Sequence, residues 1–419
     1  MVFHLPVVLG NGKAMFTGQP TFPIQMIESK TQPVAGGTAQ PSRAALQRAF
    51  DLCVHKTRRN IRRLADEPKA APWAVDGNYF AHPEGFNELG NWTSSFITGM
   101  ALLAWRETGD EFFLQQLLRL APAYREKALN PRFHSHHDMG FLYSLYSVAL
   151  YKLTGGRQHR EVGLAAAEAL CQRFNPKAGF IRAWGKLGTD EHANLAIIDC
   201  LMNLPLLYWA SCESGDQKFY GAAIRHADKT LRHFIRPDDS VFHAYRFDLE
   251  TGQPLGGENY CGRAVDSHWA RGTGWAIYGF ALSHRYTGDE RYLDASLRLA
   301  RKFNQLLNGD DMPVWDFKLP AGEPPLRDTS AAAVVACGYQ ELEKLGAADA
   351  LITGTKAALL RNLCTDRYLN FDDACPGILK EGQVGPDGPG TAINAYLSWG
   401  DYYLMEALDR ELHRAETWW

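Results

Sequence analysis

A short glycine-containing turn between two helical stretches recurs along the chain and constrains its fold more than any other feature. The turns are Thr108-Gly109-Asp110, Thr154-Gly155-Gly156, Ser214-Gly215-Asp216, Thr287-Gly288-Asp289 and Leu345-Gly346-Ala347. Glycine is favoured just after a helix, and a following aspartate can cap the next helix. Since the turns recur roughly every 45 to 75 residues, they indicate a repeated helical hairpin.

The periodicity predicts about twelve helices, near 42–66, 92–107, 111–127, 139–153, 158–174, 192–213, 217–235, 269–286, 290–307, 327–345, 347–363 and 392–412. Successive helices alternate between two kinds of composition. The more apolar helices contain Trp92, Met139, Asp199, Trp269 and Ala331, and the amphipathic ones contain Arg119, Arg225, Arg298 and Lys356. A ring of buried inner helices inside a ring of half-exposed outer helices gives this alternation. We therefore predict an all-α fold, an (α/α)6 barrel or toroid of six helical hairpins. We expect residues 1–40 to be a poorly defined extension and residues 41–419 a single domain.

The longer loops join the end of each outer helix to the start of the next inner helix, so we expect them at one mouth of the toroid. They lie at about 128–138, 176–191, 236–268, 308–326 and 364–391. Loops of this length are uncommon unless they are functional. Within them, the weak alternation of residues 241–256 and the turn at Thr251-Gly252 indicate a short β-hairpin.

Charge and terminal sequence exclude several classes of partner. The net charge is -3 without a basic block, which disfavours nucleic acid. No apolar stretch is long enough to span a membrane, and residues 1–18 lack the pattern of an export signal. The eight cysteines lie singly, without a CxxC pair. We expect a cytoplasmic protein with reduced cysteines, without membrane contact, that is a monomer or weak homo-oligomer.

Asp199 lies within the most apolar predicted helix, 192–213. An ionised carboxylate there loses several kcal/mol of hydration unless it is paired or protonated. A carboxyl group kept protonated by burial is what a general acid requires. Asp138 begins another apolar helix, and two neighbouring carboxyls would push their pKa values apart. Alternatively, Asp138 is an N-cap and Asp199 a hydrogen-bonded structural residue.

Aromatic and polar residues gather at the predicted mouth. They are Trp92, His137, Asp138, Trp184, His192, His243 and the segment from Asp266 to Trp275 that includes Trp269 and Arg271. Indole rings beside carboxylates suit a sugar, and the guanidinium of Arg271 suits a carboxylate on that sugar. Arg271 needs an anionic partner, which is either Asp266 or the ligand. Other interpretations are that Trp269 and Trp275 belong to the core, or that His134, His136, His137 and Asp138 bind a metal ion.

Four segments together resemble glycoside hydrolase family 88, the unsaturated glucuronyl hydrolases. They are His136-His137-Asp138-Met139-Gly140-Phe141, residues 197–207 around Asp199, Asp266-Ser267-His268-Trp269-Ala270-Arg271-Gly272 and Trp399-Gly400-Asp401-Tyr402-Tyr403. The resemblance runs from about residue 90 onward and implies an (α/α)6 catalytic domain. Cys261-Gly262, Thr273-Gly274 and the loop 377–390 depart from the family pattern. The loop helps set the preference for sulfated or unsulfated neighbouring sugars, so the resemblance leaves the second sugar open.

The resemblance implies a role for each candidate residue. Asp199 matches the general acid and base, and Asp138 the second aspartate, with His137 beside it. His243 and Arg271 match residues near the uronate carboxylate, and the matches to pocket aromatics are Trp92, Trp184, Trp269 and Trp275. The implied reaction hydrates the C4=C5 double bond of a terminal unsaturated uronic acid on an oligosaccharide substrate, without metal or cofactor.

Three other functions stay open from the residues. One is an unsaturated rhamnogalacturonyl hydrolase of the related family, which has the same fold and chemistry. The second is a toroid that binds sugar without catalysis. The third is a sugar epimerase that uses His243 and His268 as bases on opposite faces of a ring.

Overall fold

The computed structural model describes residues 40–72, 79–80, 84–87, 91–134, 136–385 and 393–419. Of the predicted extension of residues 1–40, only Gln40 falls among them. Within this part of the chain, no helix combines the length and the apolar character that crossing a membrane requires.

Helices make up most of the described chain. They are α1 (Arg43–Asp66), α2 (Ser94–Thr108), α3 (Glu111–Arg119), α4 (Ala121–Leu129), α5 (Met139–Tyr143), α6 (Ala149–Thr154), α7 (Arg157–Cys171), α8 (Leu204–Ser214), α9 (Gln217–His233), α10 (Ala270–Thr287), α11 (Glu290–Leu307), α12 (Thr329–Lys344), α13 (Ala350–Leu363) and α14 (Ser398–His413). A π-helical turn, Ser144–Val148, joins α5 and α6 into one continuous element.

The inner helices form a closed ring. In order around it, α2 packs against α5, α5 against α8, α8 against α10, α10 against α12, α12 against α14, and α14 returns to α2. The outer helices α1, α3, α4, α7, α9, α11 and α13 surround this ring. The predicted all-α toroid of helical hairpins is thus confirmed.

Burial explains why the two sets differ in sequence. Every residue of α10 from Ala270 to Ser283 is buried, because inner helices are covered on all sides. The outer helix α11 buries one face only, through residues such as Tyr292, Leu299 and Phe303. This spacing of three to four residues is the pattern of a half-exposed amphipathic helix.

The glycine turns connect inner to outer helices at the end of the toroid opposite the long loops. Gly109 and Gly288 end α2 and α10 in the left-handed conformation, with φ of 65° and 68°. Asp110 and Asp289 then cap α3 and α11, since their side chains accept a hydrogen bond from the backbone N–H two residues further on. Both features agree with the turn chemistry predicted from the sequence.

Short strands lie in the loops on the mouth side. They are β1 (Phe174–Asn175), β2 (Phe180–Ile181), β3 (Leu195–Ile197), β4 (Ala244–Phe247) and β5 (Pro254–Glu258). β1 pairs with β2, and β3, β4 and β5 form an antiparallel sheet in that order. The hairpin predicted in residues 241–256 is present as β4 and β5, while the third strand was not predicted.

The predicted helix 192–213 is wrong in its first half. Residues Leu195–Ile197 form β3, Ile198–Met202 form a 3₁₀ turn, and α8 begins only at Leu204. A short apolar run does not distinguish a buried strand from a buried helix by periodicity. Pro205 lies in the first turn of α8, where proline is favoured, and this was the available signal. Asp199 is therefore a residue of a strand-to-helix turn.

Candidate active site

A cavity of about 280 Å³ opens at the mouth of the toroid. The loops before α2, α5, α8, α10 and α14 all contribute to it. Its wall consists of Trp92, His137, Asp138, Trp184, Ile197, Asp199, His243, Cys261, Trp269, Arg271, Val384 and Trp399. Eight of the nine residues predicted from the sequence lie in this wall, and Trp275 is the exception.

Asp199 presents its carboxyl group to this cavity from the 3₁₀ turn that follows β3. Its Oδ1 is buried and accepts no hydrogen bond from any described residue. Burial, followed by the negative charge of Asp138, raises the pKa of Asp199 to about 8, although Arg271 opposes this shift. The carboxyl group is therefore mostly protonated at neutral pH, as a general acid requires.

The surroundings of Asp138 favour its ionised form, unlike those of Asp199. It occupies the N-cap position of α5, but its side chain makes no capping hydrogen bond, so the N-cap interpretation is wrong. Its carboxylate instead lies 3.2 Å from Nδ1 of His136 and 3.5 Å from Nε2 of His137. Burial opposes ionisation of Asp138, but His137, His136 and Asn203 outweigh it and hold its pKa below the ordinary value. The cavity thus pairs a protonated carboxyl with an ionised one.

Asn203 joins the two aspartates and was not predicted from the sequence. Its Nδ2 donates to Oδ1 of Asp138 and to the backbone oxygen of Asp199, both at 3.4 Å. Its Oδ1 accepts from the backbone N–H of Phe141 at 2.8 Å. Asn203 immediately precedes α8, and in the sequence it looked like one more residue inside a long helix. The available signal was an asparagine within an apolar run, because a buried amide needs hydrogen-bond partners. The structure shows that Asn203 is fully buried.

Arg271 is held by a carboxylate other than the predicted one. Its Nη1 lies 2.8 Å from Oδ2 of Asp328, and both side chains are buried. Its Nη2 donates to the backbone oxygen of Val384 at 3.1 Å. Asp266 pairs with Lys318 on the surface, so of the two anions expected for Arg271, Asp266 and the ligand, Asp266 is not its partner. Asp328 fixes the guanidinium in the cavity wall, and it was not among the anions expected from the sequence.

His243 enters the cavity from the start of the β4–β5 hairpin. Its Nδ1 accepts hydrogen bonds from the backbone N–H groups of Tyr260 and Cys261, at 3.0 and 3.1 Å. The neutral ring therefore carries its proton on Nε2. Burial, with Arg271 next in effect, lowers the pKa of His243 to about 3. Burial also raises the pKa of Cys261 to about 12, so this wall residue presents a neutral thiol.

Aromatic rings supply much of the remaining wall. The rings of Trp92 and Trp399 lie 4.7 Å apart between centroids, and Trp269 lies 4.5 Å from His243. Trp275 is fully buried and packs against Phe141 and Tyr403, with centroid distances of 5.5 and 5.4 Å. Trp275 therefore belongs to the aromatic core instead of the cavity wall. Trp399, which starts a motif noticed in the sequence, was not predicted as a wall residue.

A metal site is not formed by the histidine cluster around Asp138. Among the described residues, three potential metal ligands approach one another only at Glu107, Asp409 and His413, with ligand atoms within 4.8 Å. Arg106 already pairs with the carboxylates of both Glu107 and Asp409. This group is therefore an ion-pair network near the ends of α2 and α14, remote from the mouth.

Comparison with known proteins identifies relatives of the whole helical fold. The sequence profile of Glycosyl Hydrolase Family 88 matches residues 70–309. The unsaturated glucuronyl hydrolase of Bacillus sp. strain GL1 is 36% identical over 377 residues, which are 88% of this chain and 97% of that protein. That enzyme is described as responsible for the degradation of glycosaminoglycan. Its crystal structure superposes on this structure with a TM-score of 0.81 at 34% identity, covering 88% of this chain and 97% of that chain.

A further solved structure contains a bound sugar. It is an aspartate-to-asparagine mutant of unsaturated glucuronyl hydrolase from Streptococcus agalactiae, complexed with dGlcA-GalNAc6S. The TM-score is 0.75 at 28% identity, with 91% of this chain and 95% of that chain covered.

Proposed function

The chain belongs to Glycosyl Hydrolase Family 88, and from this premise we propose that it is an unsaturated glucuronyl hydrolase. It removes the terminal 4,5-unsaturated uronic acid from oligosaccharides that polysaccharide lyases produce. It does so by hydrating the C4=C5 double bond, with Asp199 as the general acid and base.

One observation carries this proposal: two carboxyl groups line the same cavity, and their surroundings shift their pKa values in opposite directions. Asp199 has its pKa raised to about 8 by burial and by Asp138, while Asp138 has its pKa held below the ordinary value. A vinyl ether is activated by protonation at carbon, which needs one carboxylic acid. The cation that forms needs one nearby anion.

The steps follow from these states. Asp199 delivers its proton to C4, and positive charge develops at C5 and the ring oxygen. Water then adds at C5 while the Asp199 carboxylate accepts the proton of that water. The resulting hemiketal opens, and the ring-opened uronic acid releases the neighbouring sugar. The catalyst returns to its starting protonation state. Each general acid or base step of this kind contributes about 10²- to 10⁴-fold.

Asp138 stabilises the cationic stage. It stays ionised because His137, His136 and Asn203 outweigh the effect of its burial. Its carboxylate is buried, and a fixed anion in a buried site is more effective than in solution. The same charge raises the pKa of Asp199, so Asp138 also helps to keep Asp199 protonated.

The other wall residues support an acidic sugar as the substrate. Arg271 is a buried cation in the wall, stacked 4.9 Å from the ring of Trp269. Asp328 holds the guanidinium of Arg271 in a fixed orientation, and this planar group suits the planar carboxylate of an unsaturated uronate. The indole faces of Trp92, Trp184 and Trp269 offer apolar surface to the sugar ring. By analogy with the sugar-bound relative, we propose unsaturated glycosaminoglycan disaccharides as the first substrates to test.

An ultraviolet assay tests the proposal. Unsaturated disaccharides from chondroitin, hyaluronan, heparin and pectin are incubated with the wild-type protein and with Asp199→Asn. We expect the enoate absorbance to decay with the wild type and to persist with the variant. Binding of these sugars without any decay would contradict the hydrolase and favour a toroid that only binds sugar. Turnover restricted to the pectin-derived substrate would favour the rhamnogalacturonyl hydrolase.

A further inference from the structure

Arg173 is a buried cation behind the cavity wall, just beyond the end of α7. Its residue surface is 2% exposed. Its guanidinium donates to four backbone oxygens, and among the described residues it pairs with no carboxylate. The acceptors are Arg182 at 2.9 Å, His134 at 3.0 Å, Gly185 at 3.1 Å and Ala183 at 3.2 Å.

These four oxygens belong to two segments that carry active-site side chains. His134 leads into the segment with His137 and Asp138, and Ala183 and Gly185 flank Trp184. The two segments also contact each other directly, since the backbone N–H of His137 donates to the oxygen of Ala183 at 2.8 Å. His136 and Trp184 form an antiparallel bridge. One guanidinium thus fixes both segments at their junction.

The charge of Arg173 acts on the same group of residues. It helps to lower the pKa values of His136 and His137, after the larger effect of their burial. Burial lowers the pKa of Arg173 itself to about 9, so it remains a cation at neutral pH. The charged and titratable groups that interact with the two histidines are Lys127 of α4, Asp138, Arg173, His226 of α9 and His243.

We propose that Arg173 is a positioning residue for the reaction, which aligns Asp138 and His137 with Trp184 by binding the backbone of both segments. This rests on the proposed function for its kinetic consequences. Arg173 lies behind the wall and does not line the cavity, so it acts through the residues that it holds. Its four hydrogen bonds depend on the planar, forked arrangement of donors in the guanidinium. A lysine ammonium has only three donors and does not reproduce this arrangement.

Kinetics of Arg173→Met, Arg173→Lys and Lys56→Met test the proposal. Lys56 is the matched control, because it too is a buried cation that, among the described residues, binds only backbone oxygens, those of Asp372 at 3.0 Å, Cys375 at 2.9 Å and Gly377 at 2.8 Å, and none of these residues lines the cavity. We expect Arg173→Met to lower kcat/KM about 10²-fold, as a misplacement of about 1 Å does. Arg173→Lys keeps the charge but not the fork, so its KM rises with a smaller loss of kcat. Lys56→Met lowers the melting temperature and leaves both constants within about twofold of the wild type.

A histidine titration by NMR supplies a readout that does not depend on turnover. We expect the titration midpoints of His136 and His137 to rise in Arg173→Met and to stay unchanged in Arg173→Lys and Lys56→Met. If the kinetic constants of both Arg173 variants match those of Lys56→Met, and the midpoints are unchanged, the proposal is overturned. If Arg173→Met does not fold, an unchanged KM in Arg173→Lys overturns it. An inactive wild type would refute the proposed function, while the histidine midpoints would still decide the placement of Arg173.

Discussion

The side-chain amide of Asn203 donates to Oδ1 of Asp138 at 3.4 Å, and the same nitrogen donates to the backbone oxygen of Asp199. One buried amide therefore sets the position of the anion relative to the acid. The amide oxygen is used as well, because it accepts from the backbone N–H of Phe141 at the start of α5. The two aspartates come from separate hairpins, and Asn203 joins them.

Replacing Asn203 by alanine should damage catalysis more than substrate binding. We expect kcat to fall about 10- to 100-fold because Asp138 loses a fixed partner and shifts. The N–H of Phe141 also loses its acceptor, which costs about 1–3 kcal/mol of stability. Steady-state kinetics and thermal melting measure the two effects. Asn60→Ala is the matched control, because Asn60 is buried and donates to the oxygen of Pro376. An equal loss of kcat in both variants would show a general stability effect instead.

Removing the charge of Asp138 should move the pH dependence of the remaining activity. In the wild type, kcat/KM should decline as pH rises through about 8, where Asp199 loses its proton. Asp138 contributes to that high pKa, so Asp138→Asn should shift the decline to lower pH as well as lower the rate. Profiles from about pH 5 to 9 measure this. A decline at the same pH in both proteins would mean that a group other than Asp199 controls it.

The raised pKa of Asp199 also predicts how stability depends on pH. Because the folded protein binds this proton more tightly than the unfolded chain, wild-type stability falls as pH rises from the ordinary carboxyl pKa of 3.8 to about 8. Asp199→Asn lacks this titration. The melting temperature of the variant minus that of the wild type should therefore grow between pH 5 and pH 8 and level off above. A difference that is constant over this range would contradict the assigned pKa.

Two tryptophans six residues apart in the sequence should respond differently to replacement by phenylalanine. Trp269 lies in the cavity wall, so Trp269→Phe should raise KM with little loss of stability. Trp275 packs in the core against Phe141 and Tyr403, so Trp275→Phe should lower the melting temperature and leave KM unchanged. Kinetics and melting curves of the pair separate the two roles. A raised KM in Trp275→Phe would place that ring at the substrate after all.

The toroid could be predicted from the sequence because its signals are local and repeated. Gly109 and Gly288 end helices, Asp110 and Asp289 start the next ones, and burial on one face or all faces leaves a readable pattern. Pro205 was a local signal for the start of α8, but the strand before it could not be predicted, because β3 exists only through pairing with β4. The paired residues are 47 to 51 positions apart in the sequence, and no local pattern encodes that contact.

The candidate site was predictable only where a residue is unusual for its surroundings. Asp199 stood out as an acid among apolar residues. The partners of the charged groups could not be found this way. Asp266 is close to Arg271 in the sequence, but the fold brings Asp328, 57 residues away, within 2.8 Å of it. Arg173 and Asn203 act through distant backbone groups, so nothing beside them in the sequence reveals their positions.

The proposed mechanism is tested most directly by identifying the carbon atom that receives the proton. The wild-type protein is incubated in D₂O with an unsaturated disaccharide, and the released uronic-acid product is examined by NMR and mass spectrometry. We expect deuterium at C4, loss of the C4=C5 double bond, and no product with Asp199→Asn. A released uronic acid that keeps its double bond and carries no deuterium at C4 would contradict the proposed mechanism, because water would then have attacked C1.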